Sequence, residues 1–186
     1  MSELIERSVA YSKTTITELM IPSYANFGGK IHGGILLSLM DKVAYACASK
    51  HAGTYCVTVS VDKVNFLQPV EVGDLVSLNA AVNYVGRTSL VVGIKIIAEN
   101  VKEGHVKHTN SSYFTMVAKD DNNKPTEVPT LILESMAEAR RFVQAIKRRQ
   151  FNADFEQKMN KAEKNLIMED DLKFLDGQRC RLRFSH

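Results

Sequence analysis

Between residues 35 and 49 apolar side chains fill almost every position: Ile35, Leu36, Leu37, Leu39, Met40, Val43, Ala44, Ala46, Cys47 and Ala48. The run predicts a helix that is apolar nearly all the way round, and it falls short of the roughly 20 residues needed to cross a bilayer. Such a helix must be surrounded by protein. Four later segments, 54–67, 76–85, 89–98 and 106–118, are rich in β-branched and aromatic residues and read as strands. In the second, Val76, Leu78, Ala80, Val82 and Tyr84 alternate with Ser77, Asn79, Ala81 and Asn83. In the first, apolar parity shifts from Val57, Val59 and Val61 to Val64 and Phe66, which predicts a bulge or bend near Asp62 and Lys63. Pro69 with Gly73 and Asp74, then Gly86, then Gly104 mark chain reversals. Together with a further strand pattern over 14–20, the expectation is an α+β domain: an antiparallel meander following one buried helix.

The polar stretch 120–125 and Pro129 end the strand region. From 131 to about 169 alternation gives way to Glu, Lys, Arg, Gln and Ala, with Phe151, Phe155, Met159, Ala162 and Leu166 at helical spacing, so one or two amphipathic helices are expected. Their apolar stripe is read as packing on this domain or on a neighbouring subunit. The division is therefore residues 1–130 and a helical extension over 131–186.

Composition changes this picture little. With 186 residues and 45% hydrophobic side chains the chain suits one domain with a sizeable core plus an appendage. A net charge of +3 gives no case for nucleic acid, and the basic residues Arg140, Arg141, Lys147, Arg148 and Arg149 read as a solvated helix face. No apolar run suggests a leader or a membrane span, and Cys47, Cys56 and Cys180 lack paired or metal-ligand spacing. A cytoplasmic protein that binds neither membrane nor metal is expected.

The residue that stands out is Asp41, a carboxylate in the middle of the apolar helix, where burial without a partner is costly. It is either a functional group or a structural one paired with Lys42 or Lys63. His32, beside two glycines at the helix start, reads as shaping the loop rather than moving protons, and His105 and His108 stand in no metal-ligand cluster.

The ordered set Asn26, His32-Gly33-Gly34, Met40-Asp41, Val61-Asp62, Val64-Asn65-Phe66, Pro69, Gly73-Asp74, Gly86-Arg87-Thr88-Ser89, Val117-Ala118 and Val128-Pro129 resembles the cytosolic acyl-CoA thioesterases of the hotdog fold, over residues 13–130. The resemblance implies an antiparallel sheet wrapped around one long central helix, and hydrolysis of a fatty acyl-CoA to the free acid and coenzyme A. It implies catalytic roles for Asn26, which would orient water or the thioester, for Asp41 as general base or nucleophile, and for Gly34 at the helix N-terminus, where free N–H groups would receive the oxyanion. His32, Gly33, Phe66, Gly86, Arg87, Thr88 and Ser89 would contact substrate, the last four near its phosphates. No cofactor is implied, coenzyme A being part of substrate and product. The partners implied are the acyl-CoA and further copies of the chain: a homodimer, assembled into a hexamer as a trimer of dimers, with each site between two protomers. A non-catalytic acyl-CoA sensor and a hotdog hydratase are the alternatives; the first would not need the Asn26 and Asp41 pair, and the second would need a His–Asp pairing that the sequence does not arrange.

Overall fold

A computed structural model describes residues 5–183. Two compact units divide at Ala145 and Ile146. In the first, β1 (Glu6–Ser8) and the short α1 (Val9–Ser12) lead into β2 (Thr14–Leu19), followed by the long helix α2 (Gly33–Ala52) and by β3 (Cys56–Val61), β4 (Leu75–Val85), β5 (Ser89–Asn100) and β6 (His105–Ala118). β7 (Thr130–Ile132) pairs in parallel with β1 as a separate two-stranded ribbon.

The main sheet is antiparallel with the order β2-β4-β5-β6-β3. The expected meander is thus confined to β4, β5 and β6, while β3 crosses to the far edge and pairs with β6. Strand order depends on which edges are left open after the hairpins form, and local alternation carries no record of it. Inward positions Val76, Leu78, Ala80, Val82, Val92, Ile94, Ile96, Phe114 and Met116 pack with Met40, Val43, Ala44 and Cys47 of α2, so the sheet encloses the helix in the expected hotdog arrangement. The irregularity expected near Asp62 and Lys63 lies earlier, as a register shift between Thr58 and Ser60, and β3 ends at Val61. Residues 62–74 then run without strand structure except for an isolated bridge at Glu71.

α2 is firmly tied at its C-terminal end. Gly53 adopts a left-handed conformation (φ 74°) and donates to the Ser49 carbonyl, while Arg7 Nη1 donates to the carbonyls of Lys50 (2.7 Å) and His51 (2.8 Å). These contacts satisfy acceptors that a helix end otherwise leaves bare. The His51 ring is fully buried against the Pro129 carbonyl at 3.1 Å. α2 departs from expectation on one face: Leu37, Asp41 and Tyr45, one turn apart, are exposed in the single chain, as are Ser38 and Lys42. The helix is surrounded by its own sheet on one side only.

α3 (Met136–Lys164) begins in the first unit, where the Phe142 ring lies 4.9 Å from that of Tyr84. The second unit holds the rest of α3, the short α4 (Met168–Asp171) and a 3-10 turn over Leu172–Leu175. Phe151, Phe155, Met159 and Leu166 are exposed, so the stripe read from the sequence finds no cover among the described residues. Among the described residues, no helix is long and apolar enough to cross a membrane.

Candidate active site

The loop before α2 is organised by Asn26. Its Oδ1 accepts from the N–H of Gly28 (2.9 Å) and of Lys30 (3.2 Å), and its backbone N–H donates to the Lys30 carbonyl at 2.7 Å. The two donors on Oδ1 fix the orientation of the amide, and its NH2 group faces away from the loop with no partner among the described residues. Asn26 therefore offers a hydrogen-bond donor. Next to it Phe27 projects wholly into solvent.

At the helix start, His32 is the N-cap: its Nδ1 accepts from the Gly34 N–H at 2.9 Å, and its carbonyl accepts from Ile35. His32 thus ties the loop to the helix start, and the Gly34 N–H, expected from the resemblance to receive an oxyanion, is taken by the imidazole. The helix keeps an uncommitted donor at Gly33, for which no acceptor stands among the described residues. The bare Cα atoms also serve neighbours within the chain. A Cβ on Gly34 would lie 2.9 Å from His32 Nδ1, and one on Gly33 would lie 3.3 Å from the tip of the Phe66 ring. Phe66 is thereby placed beside the helix start.

Two turns further along, Asp41 is exposed rather than buried, and neither Lys42 nor Lys63 pairs with it. Thr58 of β3 does: its Oγ1 donates to Asp41 Oδ1 at 2.6 Å. The bond holds one carboxylate oxygen and leaves Oδ2 without a partner among the described residues. A short hydrogen bond to an ionised oxygen is among the stronger neutral-to-charged contacts, and it fixes the carboxylate rotamer on an open surface. One turn further along α2, the Tyr45 ring lies with its centroid 6.0 Å from that of Tyr55. Thr58 escaped the sequence reading because a threonine between two valines in a strand is ordinary; only the tertiary pairing singles it out.

The structure brings Asp41 and Thr58 together but does not join either to Asn26 by a hydrogen bond. The turn between β4 and β5 stands apart from both. There Gly86 N–H donates to the Ser89 carbonyl at 2.8 Å, the carbonyls of Thr88 and Arg87 accept from Ala118 and Val128, and the Arg87 side chain is exposed. The buried thiols take no part: burial pushes the Cys47 thiol up to about 12, outweighing the opposing influence of nearby Ser12, and the Cys56 thiol is raised by burial too. Asp74, fully buried, caps the Glu71 N–H at 3.0 Å and meets Lys107 Nζ at 3.3 Å, a structural role.

A sheet curled round one helix, with an oriented carboxylate on the open helix face and a glycine-bearing helix start, is an arrangement suited to acyl transfer to water. A family model described as the thioesterase superfamily matches residues 28–105. Protein VdlD of Helicobacter pylori is 45% identical over 139 residues, 75% of this chain and 79% of VdlD. YkhA of Bacillus subtilis, described as an uncharacterized acyl-CoA thioester hydrolase, is 35% identical over 127 residues, 68% of this chain and 74% of YkhA. The cytosolic acyl coenzyme A thioester hydrolase of Rattus norvegicus is 31% identical over 137 residues, of which this chain spans 36% of the relative's length. Among solved structures, an apo-hexameric acyl-CoA thioesterase superposes with a TM-score of 0.79 at 34% identity, covering 82% of this chain and 97% of that one. An acyl-CoA hydrolase from Staphylococcus aureus, in complex with butyryl coenzyme A and coenzyme A, superposes with a TM-score of 0.77 at 30% identity, covering 86% and 97%. The chain belongs to the hotdog-fold acyl-CoA thioester hydrolases. Alanine variants of the Staphylococcus aureus enzyme have been solved at an asparagine, an aspartate and a threonine, the second fifteen positions after the first and the third seventeen after the second.

Proposed function

We propose that the chain hydrolyses acyl-CoA thioesters at a site made by two copies, Asp41 and Thr58 coming from one and the Asn26 loop with the α2 start coming from the other. The observation that carries this reading is the Thr58–Asp41 hydrogen bond on an exposed helix face. Asn26, Asp41 and Thr58 also repeat the residue types and the spacing of the three positions replaced in the Staphylococcus aureus enzyme.

Chain geometry explains why a second copy is needed. Gly33 and Asp41 lie eight residues apart on one helix, roughly 12 Å along its axis, whereas a single thioester carbonyl must be within about 3 Å of both its hydrogen-bond donors and its attacking group. One protomer cannot meet both demands. Two helices related by a two-fold axis can, with the Asn26 and Gly33 donors of one facing the Asp41 carboxylate of the other. β3 supplies the means, being an edge strand with an unpaired side that carries exposed Val59 and Val61. Edge pairing of β3 with its symmetry mate would cover those valines together with Leu37 and Tyr45. Hexameric relatives support a further step, three such dimers in one assembly.

In the reaction, Asp41 Oδ2 removes a proton from water as the water oxygen bonds to the carbonyl carbon, or attacks that carbon itself to give an anhydride that water then opens. In both routes the C–S bond breaks, the thiolate of coenzyme A takes up a proton, and the acyl group leaves as a carboxylic acid. The oxyanion is met by donors: the Asn26 amide NH2 and the Gly33 N–H. The Gly86–Ser89 turn, with Arg87 free to reach outwards, is assigned to the phosphates of coenzyme A. No cofactor is required, since water is the only second reactant. The three free cysteines and the cytosolic relatives favour the cytoplasm, and neither nucleic acid nor membrane is needed for activity.

The test is thiol release from a panel running from acetyl-CoA to palmitoyl-CoA. Wild type should hydrolyse at least one member, and Asp41→Asn should lose about 10²- to 10⁴-fold in kcat while melting at the wild-type temperature. Near-normal turnover in that variant, or no activity on any member, would refute the assignment.

A further inference from the structure

On the face of the sheet turned away from α2 there is a cavity of about 450 Å3 that the thioester site does not use. Its floor is two adjacent rungs crossing three strands. In one rung Ala81, Gly93 and Tyr113 stand opposite one another, and in the next Asn79, Lys95 and Ser111 do so. Ala81 and Gly93 are the smallest side chains available, and they hollow the sheet between flanking polar residues. Inward neighbours on the same strands, Val82, Ile94 and Phe114, face the α2 core, so the cavity and Asp41 lie on opposite faces.

The hollow is chemically distinctive in two respects. First, Lys13, Lys95, Arg140 and Arg141 line it with no carboxylate among the lining residues, and among the described residues none of the four has an ion-pair partner. Like charges gathered without counter-charges repel one another, a cost that an anion between them would remove. Second, the register shift between Val82 and Tyr84 leaves Asn83 as the extra residue of a bulge, and the residue is only 7% exposed while lining the cavity. Its amide has no hydrogen-bond partner among the described residues. The group rests across Gly93, where any Cβ would overlap the amide nitrogen. The amide is reachable from the cavity, where it is open to hydrogen-bond a ligand. Asn79 adds a donor, its Oδ1 being held by Thr15 at 3.0 Å so that its NH2 is free to point elsewhere.

We propose that this cavity binds a phosphorylated ligand of about nucleotide size, with the phosphates between Lys95, Arg140, Arg141 and Lys13 and with Asn83 as the buried donor that fixes their position. Guanidinium and amide groups give directed bonds to phosphate oxygens, and the volume lies in the range of small-molecule sites. Free nucleotides and the nucleotide end of coenzyme A share this chemistry.

Isothermal titration of the full chain with inorganic pyrophosphate, ADP, GDP and UDP, with and without saturating coenzyme A, separates the sources. At least one probe should bind wild type and weaken as salt is raised. Undiminished binding would identify a free nucleotide, whereas displacement by coenzyme A would assign the cavity to the substrate's own nucleotide and overturn a site separate from the thioester site. Arg140→Gln/Arg141→Gln should bind the same probe about tenfold more weakly or worse, as expected for losing charge-assisted hydrogen bonds. Gly93→Ala, which displaces the Asn83 amide without changing charge, should weaken it too, and Lys95→Gln replaces either variant that fails to fold. No binding of any probe at millimolar concentration, or wild-type affinity in the folded variants, would overturn the proposal.

Discussion

The two long helices make opposite use of their surfaces. α2 buries Leu36, Leu39, Met40, Val43, Ala44, Cys47 and Ala48 against the sheet and keeps only one narrow face open, where Asp41 stands. α3 is longer, 29 residues against 20, yet among its described residues only Ala145 is buried. Its helicity draws on a different source, a composition of Ala, Glu, Lys, Arg and Gln that favours the helix locally, over a length at which isolated helices become viable. A helix held by its core can present a carboxylate in a fixed position, because the burial of the other faces sets its rotation and depth. A helix held by propensity alone cannot fix a side chain to the tolerance that catalysis needs. That difference explains why the oriented carboxylate is on α2.

If this contrast is right, truncations on the two helices should differ sharply. Met40→Ala, at a fully buried position, should lower stability by about 2–5 kcal/mol, measured by denaturant unfolding. A Met40→Ala variant as stable as wild type would show that the α2 core is looser than its burial implies.

The next effect is smaller and concerns chemistry. Thr58→Val keeps the shape of the side chain and removes the donor to Asp41 Oδ1, so kcat/KM should fall about 10- to 100-fold, the equivalent of one hydrogen bond to a charged group. The melting temperature should hardly change. Unaltered kcat/KM would mean that Asp41 is positioned by something other than Thr58.

How far the sequence announces all this depends on whether the determining contact is local. The alternation in β4 and the dense apolar run of α2 are local, and both elements stand close to where the pattern puts them. The open face of α2 was not legible: a single sequence records that Leu37 and Tyr45 are apolar but not whether they are covered by this chain or by another. Nor was the use of Gly33 and Gly34, since the room they leave goes to Phe66 and His32, one of them more than thirty residues away. Thr58 gave no signal because its meaning lies in a partner seventeen residues earlier on another element. Likewise, the pairing of Asn83 with Gly93 across a bulge becomes visible only once register is known.

A pH effect sharpens the description of α2's tethered end. Burial pushes the His51 imidazole below its ordinary value of 6.5, outweighing the raising influence of the Pro129 carbonyl, and Arg7 lowers it further. The unfolded chain therefore takes up a proton more readily than the folded one, so stability is full above about pH 6.5 and is lost as pH falls below it. His51→Gln should flatten that slope in unfolding midpoints measured between pH 5 and 8. An unchanged slope would place the acid sensitivity elsewhere. The smallest effect belongs to α3, where Phe155→Ala should alter the stability of the chain by no more than about 0.5 kcal/mol. A larger loss would reveal that this stripe is covered in solution.

A site shared by two protomers is tested most directly by subunit mixing. Asn26→Ala and Asp41→Ala proteins, each inactive alone, are dissociated, mixed in equal amounts and reassembled. In a mixed dimer one site carries both changes and the other carries neither. Random pairing makes half of the dimers mixed, so hydrolysis should return to about a quarter of the wild-type rate. Absence of recovery, with exchange of subunits demonstrated by mass or by a tag, would contradict a site in which Asn26 of one chain serves Asp41 of the other.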